Sequence, residues 1–140
     1  MTSYFVVLGR PVPKQRPRVT RYGTFTPEAT VDFENRVREA WRRQDGTTFS
    51  EGEPLFVGVT AHFEIPRSLS KKKQAAMVGQ PHTKQRGDID NVVKSVLDAL
   101  NKHAFPDDCA VYIIHAEKLY SAEPYTEVTI RSMEDLHGEV

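Results

Sequence analysis

The stretch TKQRGDIDNVVKSVLDALN, Thr83 to Asn101, decides how the rest of the chain is read. On a wheel turning about 100° per residue, Ile89, Val92, Val93, Val96, Leu97 and Leu100 fill one arc. That arc predicts a helix over 90–101 with one face in a core. Asp90, Lys94 and Asp98 recur at i, i+4 and i+8 along an adjacent polar edge. Asp88 cannot share that edge, because residues two apart on a helix point in different directions. It belongs to an extended lead-in, and an extended-to-helical junction can gather Asp88 and Asp90 around one point.

Downstream, the turn FPDD, Phe105 to Asp108, opens a predicted strand CAVYIIHAEKLY over 109–120. Upstream, LFVGVTAHFEI, 55–65, is the clearest strand: Leu55, Val57, Val59, Ala61, Phe63 and Ile65 alternate with Phe56, Gly58, Thr60, His62 and Glu64. TSYFVVL, 2–8, reads as a short buried strand, and a last strand covers about 126–132. Between the first two strands, GRPVPKQRPRVTRYGTFTP holds three internal prolines and two glycines, which predict an irregular basic arm. Thr26 as N-cap and Pro27 at the first helical position then open a helix to about Arg43. It turns Phe33, Val37, Ala40 and Trp41 inward, with Glu34–Arg38 and Glu39–Arg43 as outer pairs. A short helix is predicted over Ser70–Val78, then a polar loop over 80–87. The fold class is α+β: a single compact domain, 1–133, with a mixed β-sheet packed against helices and an acidic tail over 134–140.

The composition is that of an ordinary globular protein, 39% hydrophobic and 27% charged over 140 residues. No apolar run approaches the ~18 residues of a membrane span, and MTSYFVVLGR lacks the cationic start of a secretory signal. The single cysteine, Cys109, excludes a disulfide framework and a cysteine zinc cluster and fits a reducing cytoplasm. His62, His82, His103, His115 and His137 share no zinc-ligand spacing. Net charge is zero, yet the charge is segregated. Residues 1–27 carry Arg10, Lys14, Arg16, Arg18 and Arg21 without an acid, and 65–87 carry Arg67, Lys71, Lys72, Lys73, Lys84 and Arg86 likewise. Two such stretches are either solvated loops or a positive field for a polyanion.

The acids allow two readings as well. Aspartates at a helix start satisfy free N–H groups and complement its dipole, and DD is an ordinary acidic turn. A calcium loop is a poor fit, since Val92 stands at its fifth position and no glycine follows. If the strand after FPDD packs beside the helix, however, three or four carboxylates approach one another and repel unless they neutralise a cation. Mg²⁺ or Mn²⁺ suits such hard oxygen ligands, and Lys94 adds a compact positive charge one turn from Asp90.

GDIDNVVKSVLDAL followed by FPDDCAVYIIHAEKLY resembles the signature of the RusA-type Holliday-junction resolvases, a family widespread in phages and prophages. GRPVPKQRPRVTRYGTFTPEA resembles the family's basic N-terminal segment, and the likeness extends from about Gly9 to Ile130. By motif position, the resemblance implies that Asp88, Asp90 and Asp108 bind the metal, Lys94 is catalytic, and Asp107 is the neighbouring acid. Gly87 stands where relatives often carry proline or a basic residue. The implied activity is Mg²⁺-dependent hydrolysis of branched DNA in a bacterial host cytoplasm. Lys14, Arg16, Arg18, Arg21, Lys71, Lys72, Lys73, Lys84 and Arg86 would hold DNA backbones.

Tyr22 and Phe25 either anchor the arm on the core or stack on unpaired bases. A junction needs two opposed cuts and a domain this small has room for one site, so a twofold homodimer is expected. Two other classes remain. A non-catalytic DNA-binding protein predicts binding without metal-dependent cleavage, and a metal-binding interaction module predicts metal affinity without junction preference.

Overall fold

Period-two alternation carries the sheet. In the computed structural model, which describes residues 1–84 and 87–134, strand β1 is Thr2–Leu8 and buries Ser3, Phe5 and Val7. Two short strands, β2 (Arg18–Thr20) and β3 (Gly23–Phe25), precede helix α1 (Glu28–Gln44) and strand β4 (Leu55–Glu64). Helices α2 (Lys71–Met77) and α3 (Ile89–Leu100) follow. A 3₁₀ turn at Asp108–Ala110 leads into β5 (Val111–Ser121), and β6 (Tyr125–Ser132) closes the described chain. The four long strands form one mixed sheet in the order β1-β6-β4-β5. β6 runs antiparallel to both neighbours, and β4–β5 is the parallel pair.

The apolar face of the sheet presents Phe5, Val7, Leu55, Val57, Val59, Ala61, Val128 and Ile130. Against it lie Phe33, Val37 and Trp41 of α1 and Val92, Val96, Ala99 and Leu100 of α3. These follow the arcs read from the sequence except at Ile89, expected in the core but exposed at the start of α3, and Ala99, which joins the core. Arg38 joins the two helices by donating from Nε to the Ala99 carbonyl at 3.1 Å, so it does not pair with Glu34. Glu39–Arg43 does form, at 2.6 Å. The other sheet face carries a polar knot. The Tyr4 hydroxyl donates to Glu127 at 2.8 Å, the Glu127 carboxylate also meets His62 Nε2 at 2.8 Å, and His62 stacks on Tyr125.

The arm departs from its expectation in two ways. Residues 18–25 form a two-stranded hairpin, because all three internal prolines precede it and Gly23 supplies the turn's positive φ of 136°. Tyr22 and Phe25 are 80% and 53% exposed on that hairpin, so they do not anchor the arm on the core. The start of α1 also shifts by one residue. Pro27 itself is the cap position, and its carbonyl accepts from the Thr30 and Val31 amides, while no side chain caps the helix. Of the expected acidic tail, 135–140 lies outside the described residues.

Candidate active site

Residues 79–84, with Gly87 and Asp88, lead to the first turn of α3. The Gly79 amide donates to the Tyr120 carbonyl, Tyr120 to Gln80, and His82 to Lys118, each at 2.9 Å, which seats this segment on the far end of β5. His82 stacks on Phe63 with ring centroids 4.0 Å apart. Gly87 is buried against both rings: a Cβ there would come within 3.2 Å of each. Gly87 is therefore held by packing against these two rings. Asp88 has φ −58° and ψ 125°, the extended geometry expected of it. Its side chain makes no cap hydrogen bond, so capping does not account for it.

At the other end of α3, Asn101 Oδ1 accepts from the Asp108 amide at 3.1 Å. The turn after the helix thus starts β5 beside the helix's C-terminus, and β5 runs back along α3 toward its N-terminus. Asp107 caps the 3₁₀ turn by accepting from the Cys109 amide at 2.9 Å. That bond holds Asp107 below the usual carboxylate range, whereas burial, then Asp107 and the charge of Asp98, push Asp108 above it. The two adjacent acids are driven apart by their surroundings, as at sites that handle protons or cations.

Between α3 and β5 lies a groove of about 460 Å³. Asp90, Lys94, Asp98 and Asp108 line it, over a floor of Ile89, Val93, Leu97, Ile114 and Ala116. Asp88 opens into a neighbouring pocket with Pro13, Lys14, Gln15 and Asn91. The polar edge read from the sequence is real, but its acids are strung out. Eight residues at ~1.5 Å rise put Asp98 about 12 Å along the axis from Asp90, and Asp108 is at the Asp98 end. Among the described residues no three acids, histidines or cysteines converge as a metal cage. The expected gathering of Asp88, Asp90, Asp107 and Asp108 at one point does not occur within one chain. The donor set still suits a hard divalent ion: the carboxylates are oxygen ligands, and Asp108, crowded by like charge, is relieved by a cation. Asp98, absent from the expected site, belongs to the groove; its place on the polar edge was the signal.

Of the expected DNA contacts, Arg16, Arg18 and Arg21 are exposed on the arm and hairpin, Lys71, Lys72 and Lys73 on α2, and Lys84 after it. Arg86 lies outside the described residues. Lys14 differs: its ammonium is ion-paired with Glu34 and Asp98. A further cleft of about 620 Å³ is lined by Arg10, Glu64, Arg67 and His82 among others and holds none of the expected catalytic acids.

An acid–lysine groove on a mixed sheet flanked by helices, beside a cationic arm, is the equipment of a nuclease. The comparisons agree: the family described as Endodeoxyribonuclease RusA matches residues 9–131. The uncharacterized protein YqaN of Bacillus subtilis (strain 168) is 35% identical over 136 residues, covering 92% of this chain and 95% of that protein. The chain belongs to the RusA endodeoxyribonuclease family, whose members are generally dependent on a divalent metal. No helix among the described residues is long and apolar enough to cross a membrane.

Proposed function

We propose that the chain is a Mg²⁺-dependent, structure-selective endodeoxyribonuclease, with Mn²⁺ an acceptable substitute. It resolves four-way junctions and related branched DNA by paired phosphodiester hydrolysis in recombination and repair, in a bacterial cytoplasm, phage- or prophage-encoded. Residues 1–133 act as one unit, with 134–140 an appended tail. One observation carries this reading: in a chain of the RusA family, Asp90, Lys94 and Asp108 line a single groove.

Asp88, Asp90 and Asp108 are the metal ligands in this reading, with Asp107 beside them. A bound divalent ion supplies Lewis-acid stabilisation of phosphoryl charge and an acidified water. Lys94, exposed on the groove edge of α3, offsets charge on the phosphoryl group or orients the attacking water. Arg16, Arg18, Arg21, Lys71, Lys72, Lys73, Lys84 and Arg86 hold the DNA arms.

The separation of Asp90 from Asp108 favours a twofold dimer. β5 is the outermost long strand; residues 79–82 cover its end at 118–120, and its first half is open, with Tyr112, Ile113 and Ile114 47%, 40% and 48% exposed. Such an edge calls for a partner, and a twofold axis pairs the same strand antiparallel with itself. Antiparallel pairing carries the start of one β5 toward the end of the other, and so Asp108 of the partner subunit toward Asp88 and Asp90. Both the paired cuts and a complete ligand set follow from one symmetry.

The test is cleavage of a synthetic four-way junction against a linear duplex of the same arms, with Mg²⁺ and with chelator. Paired nicks near the crossover, confined to the junction and abolished by chelator, support the proposal. Junction binding without cleavage under every divalent ion leaves a DNA-binding module.

A further inference from the structure

We propose that Lys14 is a positioning residue that locks the basic arm onto the groove-bearing helix, and that it does not contact DNA. The proposal rests on the groove between α3 and β5 being the reaction site. Lys14 Nζ sits 2.5 Å from Glu34 Oε1 on α1 and 3.1 Å from Asp98 Oδ2 on α3. All three side chains are partly shielded, at 19%, 17% and 32% exposure. Backbone contacts fix the approach: the Lys14 amide donates to the Asn91 carbonyl at 2.8 Å, and the Ser95 hydroxyl donates to the Val12 carbonyl at 2.7 Å. The arm is therefore laced along α3 at Asn91 and Ser95 before Lys14 reaches across to both helices.

Charge decides between positioning and phosphate binding. One ammonium between two carboxylates makes a triad with a net charge of −1, and a phosphate gains nothing by approaching it. Among the described residues, Arg16, Arg18 and Arg21 have no ion pair, and they lie beyond the lacing, where the arm runs out into the hairpin. What Lys14 holds is Asp98, whose carboxylate lines the groove wall near Asp108. Removing Lys14 frees Asp98 to swing and leaves a third unneutralised acid beside Asp108, and it loosens the arm that carries the true phosphate contacts.

The test separates a positioning residue from a phosphate contact. Junction binding without metal is measured against salt for wild type, Lys14→Ala, Lys14→Gln and an Arg18→Ala comparison. Cleavage is measured in single turnover at saturating protein. A phosphate contact lowers the slope of log K against log salt by about 0.9. The expected result is an unchanged slope for both Lys14 variants, a fall near 0.9 for Arg18→Ala, and a saturated cleavage rate about tenfold or more below wild type. Lys14→Arg is expected to restore most of the rate, and adding Asp98→Asn to Lys14→Ala to slow it no further. A slope reduced by about 0.9 with an unchanged saturated rate would overturn the assignment. If the wild type cuts no junction, the functional reading fails by itself. Lys14 is then judged by thermal denaturation, where non-additive effects of Lys14→Ala and Asp98→Asn uphold the tie and additive effects refute it.

Discussion

Asp88 and Asp90 stand on either side of Ile89 yet face different cavities, because the chain changes from extended to helical between them. The sequence showed that the two cannot share one helical edge, but its reading gathered them around one point at the junction, which the structure does not do. The place of Asp98 was only half legible: its alignment with Lys94 showed, but its tie to Lys14 spans 84 positions of chain folding that no local pattern records. The same holds for Glu127, an ordinary strand residue in the sequence and a knot of bonds in the structure. Burial pushes its carboxyl up, but the hydrogen bonds from His62 and Tyr4 outweigh it and hold the carboxyl below the ordinary glutamate value. A lowered carboxylate stabilises the fold above that value, and the contribution is lost as pH falls through the lower folded value. Glu127→Gln is therefore expected to cost about 1 kcal/mol at neutral pH. In urea denaturation from pH 7 to 3, the difference from wild type should shrink at the acid end.

Among the elements, the arm shows how composition misleads. Three prolines and two glycines argue against regular structure, and they do keep 9–17 irregular, but the glycine that follows Tyr22 is what lets a hairpin form after them. Gly9 does the opposite work at the arm's root. It adopts φ 96°, while Arg36 clasps the flanking carbonyls of Leu8 and Arg10 at 2.6 and 3.0 Å. A Cβ at Gly9 would come within 2.6 Å of the Arg36 guanidinium. Gly9→Ala is expected to destabilise by about 1–3 kcal/mol, from the left-handed backbone and the displaced clasp together. Its melting temperature should fall, with DNA affinity falling more than for a core variant of equal stability. Helix α3 needed correction only at its first residue, Ile89, which is exposed. Its apolar arc is long and strict, and Leu100→Ala is expected to cost about 2–5 kcal/mol, read as a lower denaturant midpoint.

For the molecule as a whole, the α+β class was legible in four predicted strands, one of them clearly alternating, and two amphipathic helical arcs. The order β1-β6-β4-β5 was not, because strand order depends on long-range pairing between segments far apart in sequence. Neither was the spread of the acids along α3, which depends on which end of the helix the FPDD turn docks. Asn101, bonded to the Asp108 amide, settles that point. The bare apolar run on β5 predicts a dimer. Ile114→Arg, which puts a charge on that edge and beside Asp108, is expected to yield a folded monomer by analytical ultracentrifugation, with wild-type protein sedimenting as a dimer. A wild-type monomer at micromolar concentration would remove the symmetric account of the paired cuts.

The measurement that bears most directly on the central claim is single-turnover cleavage of a four-way junction at saturating protein by wild type, Asp90→Asn, Asp108→Asn and Lys94→Ala. Each variant is first shown to be folded and to bind the junction. If the groove between α3 and β5 is where phosphodiester hydrolysis occurs, each loses at least about 100-fold in rate while retaining junction affinity. Wild-type rates in the two aspartate variants would contradict the account and return these acids to a structural role.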